Sequence, residues 1–187
     1  MQATEIYSIL RAGGFTRAGA LGMLGNMMAE SSLKPNIAQR GMTRLSDEAY
    51  TQAADEDRID FVHDAVGYGL CQWTFWSRKQ ALMDYAKTYG VSVGDGPMQV
   101  NFCLLELRTQ PEYSSLYHLL KTSDDIDACA DRVCDTYERP AVNNYMTRRS
   151  FAHKFEQEIK DKPATSKKQR ALELLDELKM LIEEMEG

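Results

Sequence analysis

The sequence predicts a mainly α fold: a helical domain with one small β-hairpin, followed by a C-terminal amphipathic helix. Apolar residues recur at three- and four-residue spacing through most of the chain, which is the period of a helix face. Capping residues and Gly or Pro breaks bracket those stretches. One stretch, "RIDFVHDAVGYGL" from Arg58 to Leu70, alternates enough to permit a strand or hairpin.

Thr4 can cap a first helix with Ile6, Tyr7, Ile9 and Leu10 on one side, and Gly13-Gly14 ends it. Thr16 caps a second, whose apolar surface comes from Ala18, Leu21, Met23, Leu24, Met27 and Met28. Gly22 and Gly25 leave room there for another helix to come close. Lys34-Pro35-Asn36 stops this helix, because the residue before a proline avoids the helical region. Glu30 therefore falls at or near its C-terminal end.

Residues 37–66 are mixed and polar, and "LSDEAYTQAADED" reads as a short helix or turn. Trp76 to Tyr89 reads as a helix with Ala81, Leu82, Tyr85 and Ala86 on a stripe, closed by the break "YGVSVGDGP". Met98 to Leu107 is a second, very apolar helix that belongs in the core, and Leu116 to Lys121 is a shorter one. Asp124-Asp125 starts a helix that runs to Pro140, since acidic residues suit the positive end of the helix dipole. "NNYMTRRSFAHKFEQEI" forms a further helix. "KDKPATSKKQ" is a polar linker, dividing the chain into a domain at 1–160 and a linker plus terminal helix at 161–187. In that terminal helix Ala171, Leu175, Leu178, Ile182 and Met185 make a short heptad seam, suited to packing on the domain or on a partner.

Apolar residues at 43% and charged residues at 27% of 187 exclude a disordered chain. A net charge of -6 gives no electrostatic reason to bind nucleic acid or anionic lipid, and Arg148-Arg149 and the basic cluster at 167–170 read as solvated helix surface. No run approaches a membrane span, and "MQATEIYSILRAGGF" lacks the features of a secretory signal. Cys71, Cys103, Cys129 and Cys134 have no zinc-ligand spacing and read as buried free thiols. Cys71 with His63 would be a nucleophile and base, but closeness in sequence is poor support for a dyad. The three histidines, His63, His118 and His153, are too scattered to suggest a metal, and no cofactor is expected.

The chemistry concentrates in two segments, "GNMMAESSLKPN" around Glu30 and "GYGLCQWTFWSRK" from Gly67 to Lys79. A carboxyl group at the negative end of a helix dipole, against Met27 and Met28, is favoured in the protonated form that a general acid needs. Gly67 and Gly69 bracket Tyr68 in a tight turn where backbone can approach a ligand. Gln72 offers a donor and an acceptor, while Tyr68, Trp73, Phe75 and Trp76 offer flat apolar faces. Sugars present hydroxyls at their edges and C–H groups on their faces, so the mixture fits a saccharide groove, although aromatic clusters also build cores.

"GNMMAESSLKPN", then "GYGLCQWTFWSRKQALMDYA", then "DTYERPA" together resemble the phage tail lysozyme family, a branch of the lysozyme-like superfamily with goose-type lysozymes and soluble lytic transglycosylases. The likeness runs in order from about Leu10 to Ile159. Glu30-Ser31 matches the superfamily's catalytic Glu-Ser pair, and "GYGLCQ" is similar to its "GFGLMQ" type of motif. The resemblance implies a lysozyme-like helical catalytic domain whose small β-hairpin lines a substrate cleft. It implies bacterial peptidoglycan as the substrate and Glu30 as the general acid that protonates the glycosidic oxygen. Ser31, Tyr68, Gln72, Trp73 and Trp76 carry over as groove residues, and Tyr137 and Glu138 of "YERP" as cleft support.

Glycoside hydrolysis usually needs a second carboxylate, about 5 Å from the first for retention and roughly 6.5 to 9.5 Å for inversion. Goose-type enzymes place an Asp shortly before the equivalent turn, which nominates Asp64 as the water-activating base, with Asp60, Asp55 and Asp47 as competitors. The expected activity is thus muramidase, hydrolysing the bond between N-acetylmuramic acid and N-acetylglucosamine. A lytic transglycosylase using Glu30 alone is the alternative if Asp64 points away from the cleft. A non-catalytic wall-binding tail module and a Cys71-based amidase are the other readings. The expected setting is a virion tail, or the cell wall after delivery, with tail or secretion components as partners for the C-terminal helix and no membrane insertion.

Overall fold

The computed structural model describes residues 1–160, and the linker and heptad seam expected at 161–187 lie outside the described residues. The helices are α1 (Ala3–Ala12), α2 (Arg17–Ser31), α3 (Asp47–Asp55), α4 (Trp76–Tyr89), α5 (Gly96–Thr109), α6 (Ser114–Thr122), α7 (Ile126–Val133) and α8 (Tyr145–Glu158). A 3-10 turn at Pro111–Tyr113 leads into α6, and a π turn at Cys134–Glu138 follows α7.

The helix α2 is the axis of the domain. Every residue from Ala18 to Met27 is buried, as expected of a helix that is apolar on all sides. It packs mainly against α8 and α7, with α1 and α6 completing the surround. A Cβ on Gly22 would lie 2.7 Å from Cys129 Cβ, and one on Gly25 would lie 2.5 Å from the Arg148 carbonyl oxygen. The missing side chains therefore set how closely α7 and α8 approach, and with α8 the position of Arg148. Thr16 caps α2 as the sequence predicts, accepting from Gly19 N–H at 2.9 Å. Ser32 closes it in the left-handed region, with its N–H bonded to Met28 O at 3.0 Å.

Two helix boundaries differ from expectation for local reasons. Gln2 precedes α1 in place of Thr4, because its carbonyl accepts from Glu5 and Ile6 N–H and so starts the helix at Ala3. The helix begun near Asp124 does not run on to Pro140. It widens after Val133, where the Arg139 N–H reaches back five residues to Cys134 O at 2.8 Å, and Arg139 itself turns at φ 48°. That turn carries Glu138.

The expected β-hairpin is corrected to a pair of isolated antiparallel bridges, Ala38 with Tyr68 and Tyr68 with Trp73, and no strand occurs among the described residues. Tyr68 and Trp73 exchange both backbone hydrogen bonds, at 3.1 and 2.9 Å. Extension stops there because Gly69 (φ 75°) and Gln72 (φ 47°) turn the chain between them, Ala65 (φ 57°) turns it upstream, and α4 starts at Trp76. Gly69 N–H bonds Ile37 O at 2.9 Å, tying this turn to the loop after α2.

Candidate active site

Glu30 occupies the last turn of α2, and its side chain is 18% exposed. Its Oε1 lies 2.5 Å from a terminal nitrogen of Arg148, whose side chain is only 6% exposed. The other terminal nitrogen of Arg148 donates to Asn26 Oδ1 at 2.9 Å. Asn26 is itself fixed, donating to the carbonyls of Gly22 at 2.8 Å and Ala130 at 2.9 Å. Helices α2, α7 and α8 thus converge on one ion pair, and every member is held by a buried neighbour. The exception is Arg148 Nε, which is buried without a hydrogen-bond partner.

Glu138 comes to the same place from the π turn. Its Oε1 is enclosed and also has no hydrogen-bond partner. Burial pushes the Glu138 carboxyl well above the usual range, and the nearby Glu30 carboxylate adds to this; Arg78, Arg148 and the Cys71 thiol oppose it. The proton-bearing form of Glu138 is thus favoured by its surroundings, beside an ion-paired Glu30.

Both carboxyl groups line an open groove of about 1250 Å³. Gln72, Phe75 and Arg78 contribute to one part of its lining, and Tyr137, Arg139 and Pro140 to another. Phe75 is 63% exposed and presents an apolar face. Under the groove Glu106, on α5, ties its parts together. It accepts from Arg78 at 2.8 and 2.9 Å, from Trp73 Nε1 at 2.9 Å and from the Tyr137 hydroxyl at 2.5 Å. The Arg78 guanidinium also stacks 4.4 Å from the Tyr137 ring centroid. This network holds α4, α5 and the π turn in fixed relation, as a preformed binding groove requires.

The residues singled out from sequence divide between groove and core. Glu30, Gln72, Tyr137 and Glu138 line the groove. Ser31 is a strut, buried and donating to Met27 O at 2.9 Å and to Leu70 O at 3.0 Å, which joins α2 to the Gly67–Trp73 turn. Gln72 supports that turn too, through Nε2 to Gly69 O at 3.0 Å. Tyr68 is fully buried, its hydroxyl 2.6 Å from Thr51 Oγ1 and its ring edge-on to Phe61, so it offers no face to a sugar. Trp73 is likewise buried, edge-on to Phe102. Trp76 is 52% exposed and stacks on His63, outside the residues that line the groove.

Asp64 belongs to a different cluster. Its Oδ1 accepts from the buried Lys79 at 2.5 Å and from Val66 N–H at 3.0 Å, and its Oδ2 accepts from the Tyr50 hydroxyl at 2.6 Å. It does not line the groove that holds Glu30, and neither do its competitors. Asp60 bonds His63, Asp55 bonds Ser92 and Val93 N–H, and Asp47 bonds Ala38 N–H. Cys71 does line the groove, but burial raises its thiol well above the ordinary value, and His63 pairs with Asp60 at the surface, so no dyad forms. All four cysteines are buried free thiols. No group of three or more His, Cys, Asp or Glu with metal-holding geometry occurs among the described residues.

Arg148, read from sequence with Arg149 as solvated surface, is instead buried and paired with Glu30. Arg149 does lie outward, paired with Asp131. The signal was present, since Arg148 is in step with Ala152 and Phe155 on the buried stripe of α8.

The sequence pattern of the family described as phage tail lysozyme matches residues 1–159. The chain belongs to the phage tail lysozyme family. That family's description indicates a lysozyme-like, cell-wall lytic function, and it accords with a groove built around a glutamate on the core helix. Among curated proteins, the chain is similar to morphogenesis protein 1 of Bacillus phage B103, 25% identical over 153 residues. The match covers 79% of this chain and 36% of that protein, so the chain spans about a third of the relative's length. No helix among the described residues is long and apolar enough to cross a membrane.

Proposed function

We propose that this chain cleaves the glycosidic bond between N-acetylmuramic acid and N-acetylglucosamine in bacterial peptidoglycan, with Glu30 as the general acid. The observation that carries the reading is the location of Glu30: a carboxyl at the end of the core helix, in the groove lining, in the Glu-Ser setting that Ser31 anchors to the adjoining turn. In the first step the protonated Glu30 gives its proton to the glycosidic oxygen as the bond from the anomeric carbon breaks, and the bonding electrons leave with that oxygen. Phe75 and Gln72 supply an apolar face and a polar edge for the glycan.

Two fates of the anomeric carbon follow from that step. In a muramidase, water attacks it and leaves a reducing end. In a lytic transglycosylase, the muramyl sugar's own hydroxyl attacks, giving a proton back to Glu30 and closing an anhydro ring. The ion pairing of Asp64 to Lys79 favours the second fate, because it takes away the base that hydrolysis was expected to use. Mass spectrometry of the soluble muropeptides separates the two, the anhydro product being lighter by one water.

The name of the Bacillus phage relative supports a setting in phage particle assembly, and the family's description supports action on the wall as part of a tail. A wall-binding module without activity is the competing class. Glu30→Gln decides between them: cleavage predicts that clearing of purified walls is lost while wall binding persists, and undiminished clearing by that variant would remove Glu30 from the reaction.

A further inference from the structure

A second groove, of about 510 Å³, lies where α1, α4, α5 and α6 meet. We propose that the C-terminal segment 171–185 docks there as an amphipathic helix, on the domain of its own chain. The docking does not depend on what the larger groove cleaves.

The groove is a gap in the cover of α5. Met98, Val100, Phe102 and Leu107 on that helix are buried, whereas Leu104 and Leu105 are only half-buried. Ile9 and Tyr117 pack at the edge of the core and stay partly exposed, and Tyr89 is 63% exposed. A Cβ on Gly13 would lie 2.7 Å from Leu104 Cδ1, so α1 meets α5 closely in this groove. Among the described residues no carboxylate lines it, and its one charged lining residue is Arg108. A second cation is at hand, since Lys121 Nζ lies 5.1 Å from the ring centroid of Tyr117. Contiguous apolar surface of this kind marks a place where another element packs.

The segment 171–185 answers that surface in length, charge and reach. Leu175 and Ile182 of its seam are seven positions apart, about 10 Å of helix, and so are Asn101 and Arg108 along the α5 wall. Glu173, Asp176, Glu177, Glu183 and Glu184 lie off the seam with Lys179 as the one cation, a charge balance that suits Arg108 and Lys121. Arg17 donates to the Glu156 and Ile159 carbonyls at 2.8 and 2.9 Å and lies 3.5 Å from the Tyr7 hydroxyl, so the chain leaves α8 beside α1. Residues 161–170 can extend to about 33 Å, against roughly 15 Å for the whole of α1. A helix of two heptads is marginal alone in water. So short a tether holds it near its own groove at about millimolar effective concentration, which favours docking within the chain over pairing between chains. Tyr85 and Leu105 line both grooves, so the docked helix would sit at the border of the larger one.

The test places the photoactivatable residue p-benzoylphenylalanine at position 89 of the full chain, because Tyr89 is exposed and does not line the larger groove. An equal mixture of ¹⁴N- and ¹⁵N-labelled protein is irradiated, digested and analysed by mass spectrometry. Cross-links to residues 171–187 are expected, with both joined peptides carrying the same isotope. Mixed-isotope cross-links to that segment would make the groove an interface between copies and overturn the proposal, and so would the absence of cross-links to it. Leu178→Asp together with Ile182→Asp, in chains shown by circular dichroism to be folded, should lower the yield more than about tenfold, because docking would bury carboxylates against apolar surface. An unchanged yield would make the contact incidental and would also overturn docking through the seam. A chain that cross-links as expected but releases no muropeptides would defeat the glycosidase reading and leave the docking standing.

Discussion

Two clusters of charged and titratable groups differ in how completely they are satisfied. In the first, Lys79 gives its donors to Asp64 at 2.5 Å, Val66 O at 2.8 Å and the Tyr50 hydroxyl at 3.2 Å, and rests 4.2 Å from the Phe61 ring centroid. Both oxygens of Asp64 are occupied. In the second, Glu30 and Arg148 are paired, yet Arg148 Nε and Glu138 Oε1 are buried without partners and the cluster opens on a groove. A closed network fixes a fold, because each member would be costly to leave alone. An open one beside a groove holds polar capacity in reserve for a ligand. The contrast is the ground for proposing a structural role for Asp64 and Lys79, and chemistry for Glu30 and its neighbours.

The closed cluster is the place for the largest effect on stability. Lys79→Met removes the only cation from a buried pair and strands Asp64, at an expected cost of about 3–5 kcal/mol in urea unfolding. A loss below about 1 kcal/mol would mean that the pair is no more than a surface contact. Asp64→Asn keeps the shape and should cost about 1–3 kcal/mol, since the Lys79 charge loses its partner while the Tyr50 and Val66 bonds can persist. Per folded molecule it should cleave walls like the natural chain. Abolished cleavage in a folded Asp64→Asn protein would restore Asp64 as the base.

The smallest effect concerns pH. Glu138 has its folded-state titration raised, so the folded chain holds a proton that the unfolded chain has released, and stability is greatest below the ordinary carboxylate range and declines as pH rises toward the folded-state value. Glu138→Gln removes that decline, so its stability advantage over the natural chain should grow with rising pH. Melting curves of the two proteins at matched salt, run across the carboxylate range and above, check the sign. Parallel curves would contradict the burial of an ionisable Glu138.

Helix positions were legible in the sequence wherever an apolar stripe and a cap coincided, as in α2 and α4, whose caps and stops act locally. The same local signals placed Glu30 at a helix end and put Gly67 and Gly69 about a tight turn. What depended on tertiary contact was not legible. Alternation between Arg58 and Leu70 suggested strands, but turns at Ala65 and Gly69 confine the pairing to single bridges. Tyr68 and Trp73 look like sugar platforms in sequence, and only packing against Phe61 and Phe102 shows them to be core. Asp64 precedes the turn as the resemblance led one to expect, yet which way its carboxylate faces was decided by Lys79, fifteen residues later. Arg148 meets Glu30 across 118 residues of chain, a separation at which one sequence carries no pairing information.

Which cluster carries the chemistry is decided by one side-by-side measurement. Purified peptidoglycan is treated with equal amounts of folded Glu30→Gln and Asp64→Asn protein, and soluble muropeptides are followed over time. Loss of a general acid predicts that Glu30→Gln releases them about 10²–10⁴-fold more slowly than the natural chain, while Asp64→Asn releases them at a comparable rate. Release by Glu30→Gln with none by Asp64→Asn would contradict the central claim.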